Sequence, residues 1–131
     1  MTCAVFDTNV LVSALWKEDS LPAALLHCGL CPVWSDALEA EYEDVLHRKK
    51  FRFCEEKIAA VLAPFRENAV RLTAAPTGIS LPDPKDNAVY DLFREANRRF
   101  GAVLVTGNRK HFPAEDADIL TPRECFDALS G

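Results

Sequence analysis

The chain has 131 residues, with 15 Lys and Arg against 20 Asp and Glu for a formal net charge of −5. That length predicts one compact domain over residues 1–131, and a composition that is 49% hydrophobic and 27% charged excludes a disordered chain. The negative balance excludes a surface that attracts nucleic acid or anionic membrane as a whole, so any phosphate ligand has to be held by a local basic patch or a metal.

Taken in order, Cys3 to Phe6 is a short apolar run that stops at Asp7, and Val10, Leu11, Ala14 and Leu15 then recur at helical spacing, predicting strand then helix. Ser20 with Pro22 just inside starts a second helix, with Leu21, Ala24 and Leu25 on its apolar side and Gly29 at its end. Cys31 to Trp34 reads as a strand, and Ser35 as the N-cap of a helix running to about His47. Glu55 to Phe65 predicts a helix stopped or kinked at Pro64. Ala69 to Leu72 reads as a strand and Thr73 to Pro84 as a proline-rich loop. Ala88, Val89, Leu92, Phe93 and Ala96 then mark one face of an amphipathic helix. Ala102 to Val105 is an apolar strand ending at Thr106-Gly107-Asn108, Ile119-Leu120 closes the sheet, and Thr121-Pro122-Arg123-Glu124 is a capping box opening a last helix. Strands alternating with helices predict an α/β fold, a three-layer α/β/α sandwich around a mainly parallel sheet.

The longest apolar run, Ile58 to Phe65, falls far short of the roughly 18 residues that span a bilayer. No basic residue precedes Lys17, as a secretory signal would require, so a cytoplasmic protein with no membrane partner is expected. Cys3, Cys28, Cys31, Cys54 and Cys125 make an odd count that fits reduced thiols. The sequence His27-Cys28-Gly29-Leu30-Cys31 contains a CxxC pair, but no second pair completes a zinc site. Gly29 also looks like a helix end, whereas a thioredoxin-type motif opens a helix.

Ligands of parallel sheets sit beyond the carboxyl ends of the strands. That rule selects Asp7, the segment Ser35 to Glu43, and Thr106 to Asn108, and it reaches Asp83 and Asp86 ahead of the amphipathic helix. These are carboxylates, amides and hydroxyls, a donor set suited to magnesium or manganese. Each has a plainer reading. Asp7 and Asp86 can cap the helices that follow them, and Asp83, between two prolines, can be a turn residue. In the helix after Ser35, Glu39 and Glu41 flank the two edges of the stripe formed by Leu38, Tyr42, Val45 and Leu46, and geometry does not choose between them. Glu43 and Asp44 lie further round, in solvent.

Four blocks together carry a resemblance: Val5-Phe6-Asp7-Thr8-Asn9-Val10-Leu11-Val12-Ser13-Ala14-Leu15, then the stretch from Ser35 to Leu46, Asp83-Pro84-Lys85-Asp86-Asn87, and the stretch from Val105 to Pro113. In that order the chain resembles PIN-domain proteins, in particular the branch of VapC-like toxins of toxin–antitoxin systems. The resemblance implies a Mg2+- or Mn2+-dependent ribonuclease that cleaves RNA phosphodiesters with a metal-activated water. It places the metal-holding carboxylates on Asp7, Glu41 and Asp86, and implies an antitoxin protein as partner and a homodimer. Three such carboxylates repel one another without a cation, so at least one should titrate high.

The chain departs from many PIN nucleases at the fourth acidic position, which is Asn108. An amide still ligates a hard cation, but the cluster's formal charge becomes −3, which weakens a second metal. Thr106 is a candidate to orient a water or phosphate, or simply a hydroxyl at a strand end. Arg109, Lys110 and His111 lie beside the cluster as candidate phosphate contacts, although His111 can also pack locally before Pro113. His47-Arg48-Lys49-Lys50-Phe51-Arg52-Phe53 interleaves cations with aromatics, suited either to nucleic acid or to the negative end of a helix dipole. The alternative function is a catalytically weak PIN-fold module that binds RNA or protein. A haloacid-dehalogenase-like phosphatase needs a second aspartate two residues after Asp7, where Asn9 stands.

Overall fold

The computed structural model describes residues 2–17, 19–26 and 28–130. His27, which precedes the CxxC pair, lies outside the described residues. Strand β1 (Cys3–Phe6) leads into α1 (Thr8–Trp16) and α2 (Leu21–Leu26), and β2 (Cys31–Trp34) into α3 (Asp36–Leu46) and α4 (Glu55–Asn68). After β3 (Val70–Arg71) come α5 (Asn87–Phe100), β4 (Val103–Val105), β5 (Ile119–Leu120) and α6 (Pro122–Ser130).

The strands form one sheet in the order β3-β2-β1-β4-β5, and every neighbouring pair is parallel. Ala4, Val5 and Phe6 in the central strand are buried, as continuous apolar runs are when both faces of a parallel sheet are covered. The chain steps from β1 to β2 to β3 in one direction, then crosses back over β1 to β4 and β5. Right-handed crossovers in opposite directions put their helices on opposite faces. Accordingly α5 packs on β1 and β4, whereas α4 packs on β2 and α1, α1 on α2, and α2 on α6. The expected α/β sandwich is therefore present, with a wholly parallel sheet among the described strands. Its order reverses between β1 and β4.

Local capping accounts for three of the six helix starts among the described residues. Ser35 Oγ accepts a hydrogen bond from the Leu38 N–H at 3.1 Å, and Ser20 Oγ accepts one from the Ala23 N–H at 3.3 Å. At α6 the capping box is reciprocal: the Thr121 N–H donates to Glu124 Oε1 at 2.9 Å and the Glu124 N–H to Thr121 Oγ1 at 3.2 Å. Gly101 closes α5 at φ +66°, a left-handed conformation that favours glycine.

Two expectations are corrected. Helix α4 neither stops at Pro64 nor ends at Phe65, but continues to Asn68. An internal proline costs a helix about 3 kcal/mol. Against that, Phe65 is buried with its ring stacked 5.4 Å from Phe6, and Asn68 Nδ2 donates to the Pro64 carbonyl at 2.8 Å. Tertiary packing thus holds the last turn. The second correction concerns Asp7, which precedes α1 yet makes no side-chain cap bond to it.

Candidate active site

Asp7 stands at the reversal of the sheet. Its N–H donates to the Val105 carbonyl at 2.9 Å, which places it directly beside the end of β4. The side chain is 6% exposed, and Oδ2 accepts from Thr106 Oγ1 at 2.8 Å and from Asn9 Nδ2 at 3.1 Å. Thr106, fully buried, also accepts the Asn108 N–H at 3.0 Å, while Asn9 Oδ1 accepts the Gly107 N–H at 3.0 Å. A side chain at position 107 would put its Cβ 3.2 Å from Asn9 Oδ1, so glycine there keeps this clamp closed. The ends of β1 and β4 are joined through the Asp7 carboxylate, which explains why it does not cap α1. Burial pushes the Asp7 carboxyl up; the Thr106 hydrogen bond pulls it down, and the Asp86 charge raises it again.

Helix α3 separates the two glutamates. Glu39 is held by two arginines, Arg66 Nε at 2.8 Å on Oε2 and Arg71 Nη1 at 2.9 Å on Oε1, and these bonds keep its carboxyl below the usual range. Glu41 instead accepts a hydrogen bond from Thr8 Oγ1, one residue from Asp7. Next to Glu41 in sequence, Tyr42 is buried and donates its hydroxyl to the Phe6 carbonyl. Burial, then the charges of Asp7 and Glu41, push that phenol well above its ordinary value. On the activity that the resemblance implies, the Glu39→Gln substitution should leave RNA cleavage intact and cost at most about 1 kcal/mol, as exposed ion pairs do. Glu41→Gln should remove cleavage; parallel cleavage assays and thermal melts separate the two, and an inert Glu41→Gln with an inactive Glu39→Gln would reverse the assignment.

Asp86 ends a 3-10 turn over Pro84–Asp86 and makes no cap bond to α5. Asp83 holds that turn, accepting the Lys85 N–H at 3.0 Å, in keeping with a turn role. Asp86 Oδ2 is buried and has no hydrogen-bond partner; His111 Nδ1 lies 3.4 Å from it. Burial raises the Asp86 carboxyl, followed by the charge of Asp83; His111 opposes, and Glu41 adds to the rise. Asp7, Glu41 and Asp86 are therefore electrostatically joined, Asp86 acting on Asp7 and Glu41 on Asp86. Among the described residues no three His, Cys, Asp or Glu side chains close into a ready metal cage. Magnesium needs none, since it commonly takes one or two carboxylates and keeps its waters. A buried carboxylate oxygen with no hydrogen bond fits such an ion, because an orphaned charge is costly unless a cation meets it.

The remaining candidates divide. Asn108 is exposed at the mouth, where its backbone N–H supports Thr106. Thr106, considered for a water or phosphate, has no exposed surface, and its hydroxyl is used by Asp7 and Asn108; it positions Asp7. Arg109, expected at phosphate, is committed elsewhere. Its Nη1 donates to the Phe112 and Pro113 carbonyls at 3.4 and 3.0 Å, and its Nη2 to those of Ala114 and Asp116 at 3.3 and 2.9 Å. Lys110 is exposed and makes no ion pair among the described residues, and so remains open to phosphate. His111 is turned to Asp86, not merely packed before Pro113. Cys31 faces Cys3 across the β1–β2 register. Thr8 and Asn9 were not singled out by sequence reasoning; two polar residues opening an otherwise apolar helix were the available signal.

These features define a parallel α/β sandwich with acidic side chains, Asp7 foremost, at the reversal point of its sheet. A family model described as PIN domain matches residues 3–110, and the chain belongs to the PIN-domain family. The matched stretch runs from β1 through Lys110 and includes Asp7, Glu41, Asp86 and Asn108. PIN domains are generally nucleases and typically use divalent metals. Among curated proteins, none matches the chain.

Proposed function

We propose that the protein is a divalent-metal-dependent ribonuclease, the toxin half of a toxin–antitoxin pair. The observation that carries the reading is the set of three carboxylates at the β1–β4 reversal, with Asp7 buried and one Asp86 oxygen buried without a hydrogen bond. Asp7, Glu41 and Asp86 would hold Mg2+ or Mn2+, directly or through water, and the ion would supply a lowered water pKa and Lewis-acid polarisation of the scissile phosphate. The protein's own residues do the rest. Thr106 and Asn9 fix the Asp7 carboxylate, Thr8 fixes that of Glu41, and His111 stands against Asp86. Lys110, exposed beside the mouth, offers a cation to an approaching phosphate.

RNA cleavage with and without Mn2+ or Mg2+, comparing wild type with Asp7→Asn, tests this: metal-independent cleavage, or full activity in the variant, overturns it. The antitoxin partner, the homodimer and the cytoplasmic location take their support from the family resemblance. Among the described residues no helix is long and apolar enough to cross a membrane. One observation favours the second reading, a catalytically weak binding module: the fourth acidic position is the exposed Asn108. Its bearing on metal binding is measurable. Asn108→Asp should tighten manganese binding in calorimetry, and unchanged or weaker affinity would place Asn108 outside the site.

A further inference from the structure

Trp16, Phe51 and Phe53 form an aromatic cluster at the far end of α1 from Asp7. Trp16 is 63% exposed, a large surface for a residue type that usually buries its ring. Phe51 and Phe53 stack at 5.5 Å with an 11° interplanar angle, and Trp16 meets both edge-on at 5.9 and 6.0 Å. Arg52 between them has φ 56°, the one left-handed non-glycine among the described residues, so the chain turns sharply at this point. Lys50 Nζ lies 5.1 Å from the Phe51 ring centre and Lys57 Nζ 5.9 Å from that of Phe53.

Charge and chemistry narrow the occupant. Residues 47–57 carry five Lys and Arg against two Glu, in a chain whose net charge is −5. His47 and Arg48 sit at the end of α3 and are engaged, His47 Nε2 with Glu55 at 2.8 Å and Arg48 with Asp44 at 3.2 Å. The helix dipole accounts for that pair. Lys49, Lys50 and Arg52 lie beyond the helix, are exposed, and form no ion pair among the described residues. An exposed Trp16, backed by the half-buried Phe51 and Phe53 and set near unpaired cations, matches a ligand with π-faces and phosphates together, whereas an apolar partner would leave those cations facing it unsatisfied.

We propose that Trp16, Phe51 and Phe53 with Lys49, Lys50 and Arg52 form a docking platform for single-stranded RNA, bases on the rings and phosphates on the cations. The choice of RNA rests on the proposed function. At a rise of about 1.5 Å per residue, α1 puts Trp16 roughly 13 Å from Asp7, or about four stacked nucleotide steps. The platform therefore holds strand flanking the cleaved bond and does not contribute to the cluster itself.

The test is a titration of the metal-free protein in EDTA, at low salt, with a labelled oligouridylate of about ten nucleotides. Trp34 is fully buried, so quenching of tryptophan emission reports Trp16. Trp16→Ala and the double variant Lys49→Glu/Lys50→Glu should each weaken binding by at least about fivefold, and the double variant should also flatten its salt dependence. Unchanged affinity in both platform variants, or a change confined to self-association in sedimentation, overturns the proposal and makes the rings a protein contact. Trp16-dependent binding in a protein that cleaves no RNA would support the platform while overturning the nuclease reading, so the two fail separately.

Discussion

Asp7→Asn is expected to reduce RNA cleavage by at least about a hundredfold while raising the melting temperature of the metal-free protein. The loss follows from position. Changes to residues that merely support a metal's ligands cost about 10–100-fold, and Asp7 is the most deeply buried of the three carboxylates, so its removal should cost at least the upper end. The gain in stability follows from the same burial, because asparagine keeps an oxygen for Thr106 and Asn9 without placing a charge at 6% exposure. Since burial raises the folded-state pKa of Asp7 above 3.8, the folded protein binds this proton more tightly than the unfolded chain does. Stability contributed by this group is thus greatest below about pH 4 and is lost as pH rises through the raised value. The melting advantage of Asp7→Asn should accordingly be full at neutral pH and shrink toward pH 3 to 4 in EDTA. Thermal melts across that range check it; a variant less stable than wild type at neutral pH would mean that the carboxylate is satisfied without a cation. Saturating Mn2+ should reverse the order by stabilising wild type alone.

Arg109→Ala should lower stability by about 2 kcal/mol, or roughly 6–10 °C in melting temperature, without weakening the RNA affinity of the folded protein. The guanidinium holds four backbone carbonyls between Phe112 and Asp116, in the segment joining the turn that carries His111 to β5. Losing a charged donor to partly buried carbonyls returns some of them to water and leaves others unpaired. Arg109→Lys should rescue little, because a point ammonium cannot replace a planar fork. A phosphate-binding arginine would behave oppositely, with near-normal melting, weaker RNA binding and partial rescue by lysine. Melts and metal-free binding titrations on both variants decide between the two.

The clamp explains how far the site was legible in the chain. Asp7 and Asp86 are found by a local rule, a polar residue where an apolar strand stops or a helix starts, and the sheet order puts Asp7 at the reversal. Capping chemistry was legible for the same reason: Ser35 with Leu38, and Thr121 with Glu124, are neighbours in sequence. Glu39 and Glu41 were not separable, since a helix of alternating character has two edges and the arginines that occupy one of them lie on α4 and β3. Trp16 likewise carried no signal, because the rings it meets lie in a turn more than thirty positions away.

By itself the sequence determined the alternation of strand and helix, the acidic character of the strand ends, and a net charge that requires any phosphate partner to be met by a cation or a local basic surface. Each of those follows from residue type and from spacing within a turn or two. Only the tertiary structure decided that Thr106 supports Asp7 across 99 positions, that Arg66 removes Glu39 from contention across 27, that Arg109 holds backbone carbonyls, and that α4 survives Pro64. These outcomes depend on which surfaces meet when β4 returns beside β1 and α4 closes over β2, and long-range contacts of that kind leave no periodic trace in the chain.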